Sequence, residues 1–133
     1  MNNKTPTPKI IFFDIDDTLS RNGIIAAHNQ ATLEALAQTD IKLVISTGRS
    51  KAILPADILA LLEADVLDAI ICMNGQYSFN KDGMISHYPL TDTQTNKIVM
   101  LCQKSELIHK FDSATHIAWS HENARLREYN AIT

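Results

Sequence analysis

The stretch Ile10-Ile11-Phe12-Phe13-Asp14-Ile15-Asp16-Asp17-Thr18-Leu19 decides how the rest of this chain is read. Its first four residues are continuously apolar, the pattern of a strand buried on both faces rather than on one. The reading is a buried strand over residues 9–14 that runs into a turn carrying three carboxylates. Side chains repeat their direction every second residue along a strand, so extended geometry would hold Asp14 and Asp16 on one side, about 6.5 Å apart. At an effective dielectric near 20, two such charges repel by roughly 2.5 kcal/mol. That is about two pKa units of bias against ionising both. Such a cluster is comfortable with a bound cation, a retained proton or full solvent exposure. The first two describe an active site.

Outward from this stretch, Ser20 to Gly23 reads as a turn, with a short apolar return over residues 24–27. Residues 28–38 then place Ala31, Leu33, Leu36 and Ala37 at helical spacing. Residues 41–46 form a second buried strand, ending at Thr47-Gly48-Arg49. A helix from about Lys51 or Pro55 to Glu63 follows, with Pro55 tolerated only near its first turn. A third apolar strand over residues 68–73 ends at Asn74-Gly75. Strand, helix, strand, helix, strand in this order predicts an α/β fold with a Rossmann-like parallel sheet. Ligands of such sheets bind beyond the carboxyl ends of the strands. Residues 14–17, 46–49 and 74–75 all fall at those ends, so separate segments converge on one edge.

The pattern changes after Gly75. Residues 76–79 and 84–88 read as a hairpin, and Thr91 or Asp92 caps a helix to about Ser105 with Ile98, Leu101 and Cys102 on one face. Residues 107–112 and 117–120 read as short strands, and a last helix from about His121 would place Leu126 and Tyr129 on one side. Residues 1–8, with two prolines and no apolar pattern, read as a frayed leader.

Composition narrows the classes of function. The 133 residues suit one domain, and 45% apolar with 20% charged residues describes an ordinary soluble globular protein. A net charge of −3 without a Lys/Arg cluster gives no footprint for nucleic acid or for an anionic membrane. No run approaches the roughly 18 apolar residues of a membrane span, and no apolar signal region opens the chain. Cys72 and Cys102 lie in apolar segments and read as reduced core residues of a cytoplasmic protein. The five histidines show no metal-ligand spacing, and Trp119 and Tyr129 read first as packing residues.

The acidic turn carries residue types that phosphoryl transfer can use. An aspartate at a strand end can attack phosphorus and become an aspartyl phosphate, while a second carboxyl protonates the leaving oxygen and later activates water. Positive charge must neutralise the phosphate oxygens, and Thr47 and Gly48 offer a hydroxyl and a close backbone approach. These residues resemble a known family. Asp14-Ile15-Asp16-Asp17-Thr18-Leu19 looks like the first motif of the haloacid dehalogenase superfamily of phosphohydrolases. Ile45-Ser46-Thr47-Gly48-Arg49 looks like its second motif, in the form used by the Cof-type sugar-phosphate phosphatase branch, whose class IIB cap follows a sequence like Cys72-Met73-Asn74-Gly75. The resemblance implies Asp14 as nucleophile and magnesium ligand through its side chain. It implies Asp16 as general acid/base and as a magnesium ligand through its backbone carbonyl. Thr47, with Gly48, would bind the phosphoryl group, and Arg49 would lie near the substrate or cap. Asp17 stands where glycine is commonest in the family.

The implied organisation is the N-terminal part of the core over residues 1–80 and a partial α+β cap over 81–133. No Gly-Asp pair occurs to match the family's later acidic motif, and Lys97, Lys104 and Lys110 lie in cap-like sequence, so the family's phosphate-binding lysine is assigned to none of them. The expectation is a chain truncated within the cap that self-associates, needs a complementing chain or is marginally stable. Two functions follow: a magnesium-dependent phosphohydrolase of small phosphorylated metabolites, or a non-catalytic fragment or pseudo-phosphatase that binds a partner or ligand. A phosphoacceptor receiver domain also uses a nucleophilic aspartate, but its acidic pair and acceptor sit on different strands, and Thr47-Gly48-Arg49 would be unexplained.

Overall fold

The computed structural model describes residues 7–21 and 23–121. Strand β1 (Ile10–Phe13) leads through a small hairpin of β2 (Ser20–Arg21) and β3 (Ile24–Ile25) into helix α1 (Ala27–Leu36). Then come β4 (Lys42–Ser46), α2 (Ala56–Glu63) and β5 (Ala69–Cys72), followed by the hairpin of β6 (Tyr77–Asn80) and β7 (Gly83–His87). Helix α3 (Asp92–Lys104) and the hairpin of β8 (Lys110–Asp112) and β9 (Ile117–Trp119) complete the described part. The main sheet has the order β1-β4-β5-β6-β7, parallel from β1 to β5 and antiparallel from there on. The predicted α/β architecture is therefore present, and this sheet extends to His87, beyond residue 80.

Register explains the core. Phe13 lies beside Ile45, Ile45 beside Ile70, and Ile70 beside Phe79, a row of apolar side chains across four strands. Ile45 and Ile70 are fully buried, and Leu33 of α1 with Ile58, Leu61 and Leu62 of α2 joins the same cluster. Both crossovers step in the same direction along the sheet, and right-handed crossovers then place both helices on one face. Asp68 fastens the start of this ladder. Its backbone N–H donates to the Leu43 carbonyl at 2.8 Å, and its carboxylate accepts from the Leu43 N–H at 2.9 Å and from Lys42 Nζ at 2.7 Å.

One expectation fails here. The first strand is not buried on both faces: Ile10 is 44% and Phe12 55% exposed, while Ile11 and Phe13 pack against the core. Strand β1 ends the sheet, and neither α1 nor α2 covers the Ile10/Phe12 side. A continuous apolar run records that both faces are apolar, not that both are covered.

Helix α3 begins with a reciprocal cap. The Gln94 N–H donates to Thr91 Oγ1 at 3.2 Å, and the Thr91 N–H to Gln94 Oε1 at 2.9 Å. The face foreseen around Ile98 and Leu101 stays substantially open, with Leu101 63% exposed. Both cysteines are free, and Cys72 is fully buried. Burial pushes the Cys72 thiol up to about 11, against the opposing pull of Lys51, as suits a packing residue rather than a nucleophile. Among the described residues no helix is long and apolar enough to cross a membrane. Residues 1–6 of the expected leader, and the helix foreseen around Leu126 and Tyr129, lie outside the described residues.

The two faces of the sheet should respond differently to truncation. Ile45→Ala is expected to destabilise the fold by about 2–5 kcal/mol. Phe12→Ala should cost under about 1 kcal/mol. Urea unfolding of both variants measures the contrast, and equal losses would contradict the one-sided core.

Candidate active site

The acidic turn is shaped by the residue between its aspartates. Ile15 is fully buried, and its carbonyl accepts the N–H groups of Thr18, Leu19 and Ser20 at 3.3, 3.0 and 2.9 Å. With Leu19 also buried, the chain is pinned at two apolar points while Asp14, Asp16 and Asp17 stay exposed. Winding three donors onto one carbonyl takes Asp17 to a φ of 56°, in the left-handed region. A glycine at this position would adopt that conformation without strain. Because the strand stops at Phe13, the turn rather than a strand's pleat sets Asp14 against Asp16. From α1, Asn29 Nδ2 donates to the Leu19 carbonyl at 3.0 Å and to that of Thr18 at 3.4 Å. Sequence reasoning passed over Asn29, since a single amide in a helix's first turn carries no local signal.

The second motif is braced by the third strand end. The Thr47 N–H donates to the Ile71 carbonyl at 2.9 Å, the Asn74 N–H to the Thr47 carbonyl at 3.2 Å, and the Met73 N–H to the Arg49 carbonyl at 3.0 Å. Buried Thr47 Oγ1 accepts the Arg49 N–H at 3.1 Å. Met73 and Asn74 both adopt left-handed conformations, with φ of 50° and 53°, which bends the chain back under this turn. The Asn74 amide lies close against this backbone, with its Oδ1 3.4 Å from where a Cβ on Gly48 would stand. Asn74-Gly75 is a weak signal as a dipeptide, and its bracing role depends on strands that meet only in the fold.

Arg49 ties the two motifs together. Its Nε and Nη2 donate to the two oxygens of Asp16 at 2.9 and 2.8 Å, and its Nη1 donates to the Ile53 carbonyl at 3.1 Å. This forked pairing holds the Asp16 carboxyl below its ordinary 3.8, mainly through the hydrogen bonds from Arg49 and against a smaller opposing effect of burial. Among the described residues, the Asp14 carboxylate takes no hydrogen bond or ion pair.

All five residues singled out from the sequence, Asp14, Asp16, Thr47, Gly48 and Arg49, line one cleft of about 260 Å³. Ser50, Lys110 and Asp112 line it as well, the last two from β8. Ser50 is 1% exposed, and its Oγ has no partner among the described residues. The donor set suits a hard cation: a free carboxylate on Asp14, and an Asp16 carbonyl that none of the described turn hydrogen bonds uses. No group of three acidic, histidine or cysteine side chains able to hold a metal occurs among the described residues. One side-chain carboxylate and one backbone carbonyl are compatible with an ion such as magnesium, which is commonly held by one or two carboxylates and retains several waters.

A family model for haloacid dehalogenase-like hydrolases matches residues 11–132. This chain belongs to that family. Among solved structures it is similar to a subclass IIB sugar phosphatase of the superfamily, at 27% identity and a TM-score of 0.78, over 93% of this chain and 49% of the other. A protein studied for a trigonal-bipyramidal intermediate in a phosphoryl-transfer superfamily matches at 27% identity and a TM-score of 0.77, over 92% and 47%. A superfamily member from Bacteroides thetaiotaomicron shares the fold at 19% identity and a TM-score of 0.78, over 99% and 48%. The chain thus spans about half the length of these structures. No curated protein matched significantly.

The Arg49–Asp16 pair predicts a direct pH signature. A carboxyl whose folded pKa is lowered contributes stability above its ordinary range, and that contribution is lost as pH falls through the lowered value. Carbon-13 NMR should find the Asp16 midpoint below 3.8 in the wild type and at 3.8 or above in Arg49→Met. An unchanged midpoint in the variant would show that Arg49 is not its cause.

Proposed function

We propose that this chain carries the nucleophilic half of a magnesium-dependent phosphohydrolase acting on small phosphorylated metabolites, of the Cof-type branch, in a cytoplasmic setting. The observation that carries the reading is the meeting of Asp14, Thr47, Gly48 and the Arg49–Asp16 pair in one cleft at the carboxyl ends of β1 and β4. Membership of a hydrolase family and likeness to a sugar phosphatase support it.

In this reading an oxygen of Asp14 attacks phosphorus, the bond from phosphorus to the leaving oxygen breaks, and that oxygen takes a proton from the Asp16 carboxyl. Water then attacks the aspartyl phosphate, giving its proton to Asp16 and releasing phosphate from Asp14. Thr47 and the Gly48 backbone orient the phosphoryl group. Asp14 and the Asp16 carbonyl would hold magnesium, which supplies positive charge against the phosphate oxygens. The forked pair with Arg49 favours the ionised Asp16 carboxylate, the form that takes the proton from water in the second step.

With magnesium, slow hydrolysis of p-nitrophenyl phosphate is expected, with a phosphoryl group trapped on Asp14 and detected by mass spectrometry. Asp14→Asn should remove both signals, lowering turnover by roughly 10³-fold or more. Turnover that survives Asp14→Asn would refute the nucleophile.

A second reading, a binding module that self-associates or joins a complementing chain, is favoured by the position of β1 at the edge of the sheet among the described strands and by the exposed Ile10 and Phe12 beside it. Light scattering should then show association that grows with concentration and disappears in Phe12→Lys. A monomer at all concentrations would count against self-association.

A further inference from the structure

We propose that Asn29 of α1 is a positioning residue for the acidic turn. By taking the Thr18 and Leu19 carbonyls it holds the turn in the form that leaves the Asp16 carbonyl, in the cleft with Asp14, for a divalent cation. The proposal rests on the phosphohydrolase reading above, through the cation assigned there to these two groups.

Helix chemistry alone gives Asn29 no reason to be where it is. Asparagine is among the weaker helix formers, because its side chain competes for backbone groups in non-helical conformations. Its favoured place is the N-cap, but the N-cap of α1 is Ala26, and the Asn29 N–H already donates to the Ala26 carbonyl at 2.9 Å. The Asn29 amide reaches instead to carbonyls ten and eleven residues earlier in the chain, those of Leu19 at 3.0 Å and Thr18 at 3.4 Å. The next residue, Gln30, gives its amide to Glu34 of the same helix at 2.9 Å.

Packing fixes this reach. Asn29 and Leu33 are four residues apart and share a face of α1. Leu33 is 1% exposed, in the same apolar cluster as Ile15 and Leu19. The helix cannot rotate the amide away without withdrawing Leu33 from the core. The turn is thus held by Ile15 and Leu19 on the core side and by Asn29 from the helix.

The carbonyls of the turn are divided accordingly. That of Ile15 takes three backbone N–H groups, that of Ser20 takes the Asp17 N–H at 2.9 Å, and those of Thr18 and Leu19 take Asn29. Among the described residues no donor reaches the carbonyl of Asp16 or Asp17. Of these two residues, Asp16 lines the cleft with Asp14 and Asp17 does not. A hard cation takes carbonyl oxygens as ligands, so released Thr18 and Leu19 carbonyls would compete with Asp16 for it. Groups that orient a metal's ligands govern its affinity nearly as strongly as the ligands themselves.

The test is a magnesium titration of the 133-residue chain, followed by the amide NMR signals of the acidic turn, with a thermal melt of each variant. Asn29→Ala removes the contact while improving helix propensity, and Gln30→Ala makes a matching change to the amide that bonds Glu34. The wild type is expected to bind magnesium, and Asn29→Ala to bind it about tenfold or more weakly. Gln30→Ala should match the wild type, with all three melting within about 5 °C of one another. Unchanged magnesium affinity in Asn29→Ala would overturn the proposal and leave the phosphohydrolase reading standing. Equal weakening in Gln30→Ala would make the effect one of the helix, and a far lower melt in Asn29→Ala would make it one of the fold; either overturns the proposal. A wild type that binds no magnesium would overturn it together with the magnesium site of that reading.

Discussion

Parallel pairing of β1 with β4, and of β4 with β5, is the constraint from which the remaining features follow. Parallel strands need a crossover between them, and these crossovers step the same way along the sheet. Right-handedness then places α1 and α2 on one face and delivers the carboxyl ends of the three strands to one edge. The one-sided core around Ile45 and Ile70 and the cluster of polar strand ends are two consequences of the same topology. So is the open Ile10/Phe12 surface.

The site is built by small local devices on that edge. Buried Ile15 collects three donors and turns the acidic segment outward, while Asn29 holds the far side of the turn. The left-handed pair Met73 and Asn74 supports the Thr47–Arg49 backbone from beneath. The forked Arg49–Asp16 contact then joins elements distant in sequence and decides the charge of the pocket. It leaves Asp14 as the carboxylate without a protein partner among the described residues, a distinction that composition alone would not draw between two neighbouring aspartates.

Much of this was legible in the chain. Apolar periodicity located the strands and helices around the site, and polar residues at successive strand ends named Asp14, Asp16, Thr47, Gly48 and Arg49 together. Between Gly75 and residue 121 the elements were also foreseen, with a helix cap at Thr91 or Asp92, of which the structure takes Thr91. One error has a physical cause. The run Ile10-Ile11-Phe12-Phe13 was read as buried on both faces, because sequence reports the apolarity of a face and not its covering. Asp14 and Asp16 lie beyond the end of β1, in a turn that three hydrogen bonds to the Ile15 carbonyl shape.

What the sequence by itself determined is the order of elements, the parallel topology and the residues of the two motifs, since these depend on periodicity and short-range chemistry. Tertiary structure alone decided which partners those residues take. Arg49 reaches Asp16 rather than standing free for a ligand, and Lys110 and Asp112 come over the acidic turn from a hairpin far along the chain. Each such pairing depends on where strands and loops distant in sequence come to lie, and no local pattern of residues encodes that distance.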